Sequence, residues 1–215
     1  MSKQIIAFCG FKGSGKDTAA NYLVKNKGFY KFSFADSLKQ SISVIFNWDI
    51  ELINGVSPES RKWREEVDTW WSKELGIENF TPRFALQFIG TDLFRNHFNE
   101  DIWLLSLKNK LMKTGAKKIV ISDCRFRNEI KMLNDLNAVI YEISRGTIPF
   151  YYSMAAFINN LSEEERKEYL KTSYYKELNK IHESEWSWIG GNIDKVINNN
   201  GSKEELYSLL DEKIN

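Results

Sequence analysis

The sequence predicts an α/β fold, a three-layer αβα sandwich around a five-stranded, mainly parallel sheet. Three observations carry that prediction. Short apolar runs such as Ile5-Ile6-Ala7-Phe8-Cys9, Lys118 to Asp123 and Ala138 to Ile143 recur along the chain. Stretches with helical periodicity separate them, and strands that alternate with helices form a parallel sheet covered on both faces. A glycine-rich segment, Gly10 to Thr18, stands between the first apolar run and the first helical pattern, where a strand-loop-helix unit needs a tight turn.

Taken in order, the elements are a strand over 4–9, a helix over 16–26, a strand over 29–34 and a long series of helical patterns from Asp36 to Lys113. A strand-helix-strand unit follows, with Lys118 to Asp123 as a buried strand, Arg127 to Leu136 helical and Ala138 to Ile143 another buried strand. After Gly146 and Pro149 comes an aromatic, charged helical block to about Lys180, then a short strand over Ile193 to Ile197 and a closing helix over Lys203 to Ile214. The loops fall at Gly55 to Pro58, Glu74 to Pro82 and Thr147 to Pro149. This order predicts a single domain over 1–215, with a helical insertion at about 36–113 and a lid-like insertion at about 147–188.

The chain of 215 residues is long enough to bury a real core. Its net charge of +1 gives no electrostatic reason to expect nucleic acid or a membrane as partner, so any anion site is local. Two cysteines, Cys9 and Cys124, are too few for a disulfide framework and suit a reducing compartment. No apolar stretch reaches the roughly 18 to 20 residues of a membrane span, and Met1 to Lys12 lacks a signal pattern. The expectation is a soluble, cytoplasmic protein.

Gly10 to Thr18 reads Gly-Phe-Lys-Gly-Ser-Gly-Lys-Asp-Thr. A bare Gly-x4-Gly-Lys arises by accident in roughly one chain of this size in twenty, so spacing alone decides little. The preceding strand and following helix supply the context that a phosphate-binding loop requires. Gly10, Gly13 and Gly15 let several N–H groups face one anion, and Lys16 brings a charge to the β- and γ-phosphates. Asp17 stands where the usual motif has Ser or Thr. A carboxylate there favours the helix N-terminus, a gain of about 0.3 to 1 kcal/mol.

Two further constellations point to phosphate chemistry. Asp123 ends an apolar strand, where an acid meets a nucleotide-bound Mg²⁺ or caps the next helix. Arg125 adds a guanidinium at the mouth of the sheet, and Glu129, four residues on, can orient it if the segment is helical. In the second constellation, Thr81 as N-cap and Pro82 open a helix. On its wheel Leu86, Ile89 and Leu93 form the buried stripe, and Arg83, Gln87, Thr91 and Arg95 a polar stripe bordered by Phe84 and Phe88. A solvated face is one reading. A nucleoside monophosphate site, with guanidinium for phosphate, amide for base edge and ring for stacking, is the other.

Together these segments resemble the phage-type deoxynucleoside monophosphate kinases. The resemblance rests on Gly-Ser-Gly-Lys16-Asp17-Thr18, Phe34-Ala35-Asp36-Ser-Leu38-Lys39, Pro-Arg83-x-x-Leu-Gln87-x-x-Gly90-Thr91-Asp92-x-x-Arg95, Asp123-x-Arg125-x-x-x-Glu129 and His182-x-Ser184-Glu185. It runs through most of the chain and implies a fold similar to adenylate and guanylate kinases. It also implies transfer of the γ-phosphoryl of ATP, with Mg²⁺, to a deoxynucleoside 5′-monophosphate, in the cytoplasm or a host's cytoplasm. Gly10, Gly13, Ser14, Gly15, Lys16, Asp17 and Thr18 are implied to hold ATP, and Asp17 and Asp123 the metal. Lys16, Asp17, Arg83, Asp123 and Arg125 are the implied catalytic set. Lys39, Arg83, Gln87, Thr91, Asp92, Arg95, Trp103, Arg125, Glu129, Arg145, His182 and Glu185 are the implied substrate side, with His182 either touching nucleotide or tying down the lid. The Asn198 to Ser202 turn resembles an adenine rest and also reads as a capped turn, with Gly201 for positive φ and Ser202 as N-cap.

The block from Pro149 to Lys180, with Phe150, Tyr151, Tyr152, Phe157, Tyr169, Tyr174 and Tyr175, reads as a lid over the phosphates or as a homodimer surface. The rival activities are another small-molecule kinase, acting on phosphomevalonate or a coenzyme precursor, and a switch or motor NTPase.

Overall fold

The computed structural model describes residues 3–169, 171–178 and 180–214, without the side chains of Ser173 and Tyr174. The Tyr174 side chain of the aromatic block thus lies outside the described residues. The chain divides into two compact units, a sheet unit made of Met1–Ser33 with Thr114–Asn215, and a helical unit, Phe34–Lys113.

The sheet unit holds β1 (Gln4–Cys9), α1 (Lys16–Lys27) and β2 (Tyr30–Phe32) in its first segment. The helical unit holds α2 (Asp36–Phe46), α3 (Ile50–Asn54), α4 (Pro58–Trp63), α5 (Thr69–Leu75), α6 (Pro82–Gln87), a π-helix (Phe88–Arg95) and α7 (Ile102–Lys113). The sheet unit resumes with β3 (Lys118–Ile121), α8 (Arg127–Asp135), β4 (Val139–Ser144), α9 (Tyr152–Asn159), α10 (Glu163–Tyr169) and α11 (Ser173–Leu178). A 3₁₀ turn (Glu183–Glu185), β5 (Lys195–Asn198) and α12 (Lys203–Lys213) complete it.

The five strands lie in the order β2-β3-β1-β4-β5, and every pairing is parallel. Ile6 is in register with Val120 on one side and Val139 on the other, so β1 sits at the centre with its C-terminal end leading into the glycine-rich loop. Side chains alternate across the sheet. Ile6, Phe8, Val120, Tyr141, Ile143 and Ile197 form one buried cluster with Ala19, Ala20 and Leu23 of α1 and Leu206 and Leu210 of α12. The opposite set, Ile5, Ala7, Ile119, Ile121 and Ile140, is buried as well. Both faces are therefore covered, which is why these strands read as unbroken apolar runs. Among the described residues no helix is long and apolar enough to cross a membrane.

Local chemistry sets the boundaries. α1 ends at Gly28, whose positive φ and N–H to the Leu23 carbonyl close the helix in the left-handed manner. In the helical unit Thr81 caps α6 through the Phe84 N–H at 3.0 Å with Pro82 in the first turn, as the sequence predicts. That unit has its own core, built from Ile42, Ile53, Phe46, Trp48, Phe80, Ala85 and Trp103.

Two expectations are corrected. The stripe Leu86, Ile89, Leu93 assumed one continuous α-helix. The segment from Phe88 on is a π-helix, whose wider turn changes the phase of the buried face, and Leu93 is 48% exposed while Gly90 and Ala85 are buried. Gly201 does not hold positive φ. A side chain there would collide with the Glu205 carboxylate that accepts from the Ser202 N–H, so it would displace that carboxylate from the capping box of α12.

Candidate active site

The loop between β1 and α1 is built around glycine geometry. Gly10, Gly13 and Gly15 have φ of 131°, 81° and 106°, values that side-chain-bearing residues resist. A Cβ on Gly10 would strike the Ile143 carbonyl, and one on Gly15 would lie 2.5 Å from Asn199 Nδ2. Lys16 is 7% exposed, and its Nζ donates to the carbonyls of Gly10 at 2.8 Å and Phe11 at 2.7 Å. Burial, and then the positive charge of Arg125, push the Lys16 ammonium down to about 8. Two cations close together, offset only in part by Asp17 and Glu185, make a site that gains from a polyanion.

Three observations show that this loop suits a phosphate chain. No side chain caps the first-turn N–H groups of α1, which have no acceptor within the helix. The Oγ of Ser14, a residue 2% exposed, is buried with no hydrogen-bond partner among the described residues. Nothing lies within 4 Å of the position a Gly13 Cβ would take. Amides, an orphan hydroxyl and a buried ammonium are the donors an anion needs.

Asp17 faces away from the buried side of α1. Its Oδ1 accepts from Lys31 Nζ at 2.8 Å and from Ser122 Oγ at 2.9 Å. Burial pushes its carboxyl up, but Lys31 and the hydroxyl outweigh that and hold it below the usual aspartate range. Both bonds fall on Oδ1, and among the described residues Oδ2 has no hydrogen-bond partner. Asp123, two residues beyond the end of β3, is half-buried and accepts from Ser33 Oγ through Oδ2. Among the described residues no group of three or more His, Cys, Asp or Glu is placed to hold a metal. A cation here would take one or two carboxylates, waters and phosphate oxygens, which is the usual coordination of Mg²⁺.

Glu129 is 2% exposed and its Oε2 accepts the backbone N–H groups of Arg125 at 2.8 Å and Phe126 at 3.1 Å. It fixes the start of α8 rather than the Arg125 guanidinium. The guanidinium instead meets Glu185, with Nη1 to Oε1 at 3.4 Å. His182 Nδ1 contacts Ser184 Oγ at 2.9 Å and accepts from the Ser184 N–H, which makes it the cap of the 3₁₀ turn. Arg145 is exposed just past β4. The thiols of Cys9 and Cys124 are free, fully buried and pushed up by that burial, so neither is a nucleophile.

In the helical unit Arg83 and Gln87 lie on α6, and Thr91, Asp92 and Arg95 on the π-helix. In an α-helix a four-residue spacing drifts by about 40° per step. In the wider π-turn a four-residue step drifts in the opposite sense, so the row from Arg83 to Arg95 does not spiral steadily around the helix. Arg83, Thr91 and Arg95 are half-buried and Gln87 and Asp92 exposed. Phe84 and Phe88 stack beside the row, 5.6 Å apart and 8° from parallel. Trp103 is 7% exposed, and its indole N–H donates to the Gly90 carbonyl at 2.8 Å, so its visible role is to brace the π-helix. Lys39 is half-buried on α2.

Sequence reasoning missed Ser33, Lys31, Ser122 and Asn199. Asn199 is 3% exposed and its Nδ2 donates to the Ser14 carbonyl at 2.8 Å, tying the end of β5 to the loop across 185 residues of chain. Its place in Asn198-Asn199-Asn200 after an apolar strand was the only local signal.

Residues 4–64 and 59–149 match the family described as deoxynucleotide monophosphate kinase. A protein of Acanthamoeba polyphaga mimivirus named as a putative deoxynucleotide monophosphate kinase is 34% identical, over 67% of this chain and 75% of its own. The deoxynucleoside-5′-monophosphate kinase of Escherichia phage T5 is 26% identical, over 62% of this chain and 72% of its own. Among solved structures, a shikimate kinase from Bacteroides thetaiotaomicron aligns over 97% of both chains at 10% identity with a TM-score of 0.41, a likeness too distant to bear on function. With its glycine-cornered loop and buried lysine, the chain belongs to the deoxynucleotide monophosphate kinase family and is a phosphotransferase.

Proposed function

We propose that the protein transfers the γ-phosphoryl group of ATP, in the presence of Mg²⁺, to a deoxynucleoside 5′-monophosphate, giving the diphosphate and ADP. The observation that carries this reading is the buried Lys16 ammonium in its glycine-cornered loop, within a chain of this family. In the transfer an acceptor phosphate oxygen bonds to the γ-phosphorus as the bond to the β,γ-bridging oxygen breaks, and the electron pair leaves with ADP.

The chain's residues align and neutralise rather than react covalently. Gly10 to Thr18 cradle the triphosphate, and Lys16 offsets the charge on its β- and γ-oxygens. Asp123, which accepts from Ser33, and Asp17, through its Oδ2, would hold the metal or its waters. Bound Mg²⁺ would supply charge neutralisation to the triphosphate. Arg125 uses one nitrogen on Glu185 and offers the others to the transferring group. In the helical unit Arg83 and Arg95 take the acceptor phosphate, Gln87, Thr91 and Asp92 its sugar and base edge, and Trp103 supports them, with Lys39 adding charge. Arg145, Glu129, His182 and Glu185 support the nucleotide side, and the insertion at about 147–188 shields the phosphates. Two buried free thiols fit a reducing cytoplasm.

The test is a panel of acceptors, incubated with the purified chain, ATP and Mg²⁺. Deoxynucleoside monophosphates should yield ADP and the matching diphosphate. Turnover confined to phosphomevalonate or a coenzyme precursor, or ATP hydrolysis indifferent to acceptor, would overturn the reading.

A further inference from the structure

Arg125 is a side chain with five donors, and among the described residues its guanidinium meets one partner, Glu185, through a single nitrogen. Glu185 is held within its own turn by its N–H, which donates to the His182 carbonyl at 2.9 Å. It sits at the end of a three-residue 3₁₀ turn, and a set of contacts on either side fixes that turn. His182 caps it through the Ser184 N–H. The Trp188 indole N–H donates to the Glu185 carbonyl at 3.1 Å. Trp188 is 1% exposed and meets the Phe11 ring edge-on at 5.1 Å, and the Phe11 carbonyl accepts from Lys16. Behind this stretch the buried Asn159 of α9 donates from Nδ2 to the carbonyls of Trp186, Ser187 and Ile189. The stretch 182–189 is thus fastened at both ends and in the middle, and it bridges the Arg125 segment and the phosphate loop.

We infer that Glu185 is a positioning residue for Arg125. Its carboxylate aims the guanidinium from a fixed brace, leaving the remaining N–H groups to the phosphoryl group in flight. The inference rests on the role given to Arg125 under Proposed function. A flexible arginine at a half-exposed site would lose much of its effect to disorder, since a misplacement of about 1 Å can cost on the order of 100-fold in rate. A carboxylate held on a brace removes that freedom before substrate arrives. The cost is a partly offset positive charge, which a one-point contact at 3.4 Å keeps small.

A double-mutant cycle tests this, with steady-state kcat and KM for both nucleotides measured for wild type, Glu185→Gln, Arg125→Ala and the double variant. Arg125→Ala should lower kcat on the order of 10²- to 10³-fold. Glu185→Gln should lower kcat about 10-fold or more with each KM within about two-fold, and should have no further effect once Arg125 is gone. Glu185→Asp should recover part of the rate, which a purely structural defect would not allow. Undiminished kcat in Glu185→Gln overturns the inference, as does an equal loss in both backgrounds. Wild-type kcat in Arg125→Ala overturns the role of Arg125 itself and with it the inference, which separates the two failures. Should Arg125→Ala unfold, as judged by circular dichroism, Arg125→Lys takes its place in the same cycle.

Discussion

At the scale of single residues the decisive group is Lys16. Its pKa of about 8 against an ordinary 10.5 means that the unfolded chain binds more protons than the folded one between those values. The penalty of burying the charge is therefore full below about pH 8 and fades as pH rises toward 10.5, so this group's contribution to stability rises over that window. A triphosphate in the loop reverses the depression, so nucleotide binding near pH 8 should take up roughly half a proton, and almost none at pH 6. Calorimetry in two buffers of different ionisation heat measures this, and buffer-independent heats at pH 8 would contradict it. Lys16→Ala should lower kcat/KM by 10³-fold or more on the order-of-magnitude scale of phosphate clamps. The identity of Lys16 was plain from its motif. Its depressed pKa was not, because it comes first from burial in the folded loop and then from Arg125, more than a hundred residues further along the chain, and no local pattern contains either.

At the scale of elements, two joints decide how the site is held. The loop is fastened from behind by Asn199, so Asn199→Ala leaves the buried Ser14 carbonyl without its side-chain donor. It should cost about 1–3 kcal/mol in a urea titration and weaken ATP binding more than acceptor binding. Equal weakening of both would mean that the bond serves stability alone. In the helical unit the π-helix depends on Trp103. Trp103→Phe keeps most of the packing but removes the donor to Gly90, and should lower the stability of that unit by about 1–3 kcal/mol. An unchanged urea midpoint would show that the bond contributes nothing. The α6 cap was legible from Thr81-Pro82, since a cap is a local chemical event. The switch to π geometry at Phe88 was not, because it answers to Gly90, Leu38 and Trp103 meeting in one core, where a Cβ on Gly90 would lie 2.6 Å from Leu38.

At the scale of the whole molecule, ligand binding should appear as stability. Mg-ATP at about 100 times its Kd should add about 2.7 kcal/mol to whatever cooperative unit contains the loop. For a protein of this size that is a rise in Tm of about 5–10 °C. Lys16→Ala should abolish the rise while leaving the unliganded Tm within a few degrees, and a full rise in that variant would dissociate the loop from ATP. The sequence by itself determined the alternation of apolar strands with helices, the glycine-cornered turn between the first strand and the first helix, and the helical stretch from Asp36 to Lys113. These follow from periodicity, glycine spacing and capping, which act over a few residues and so are written in consecutive letters. Only the tertiary structure decided the strand order, the engagement of Asp17 by Lys31 and Ser122, the support of Asp123 by Ser33, and the transfer of Arg125 from Glu129 to Glu185. Those contacts join segments up to 105 residues apart. They form because parallel strands bring the C-terminal ends of distant runs to one edge of the sheet, a distance relation that a linear pattern does not contain.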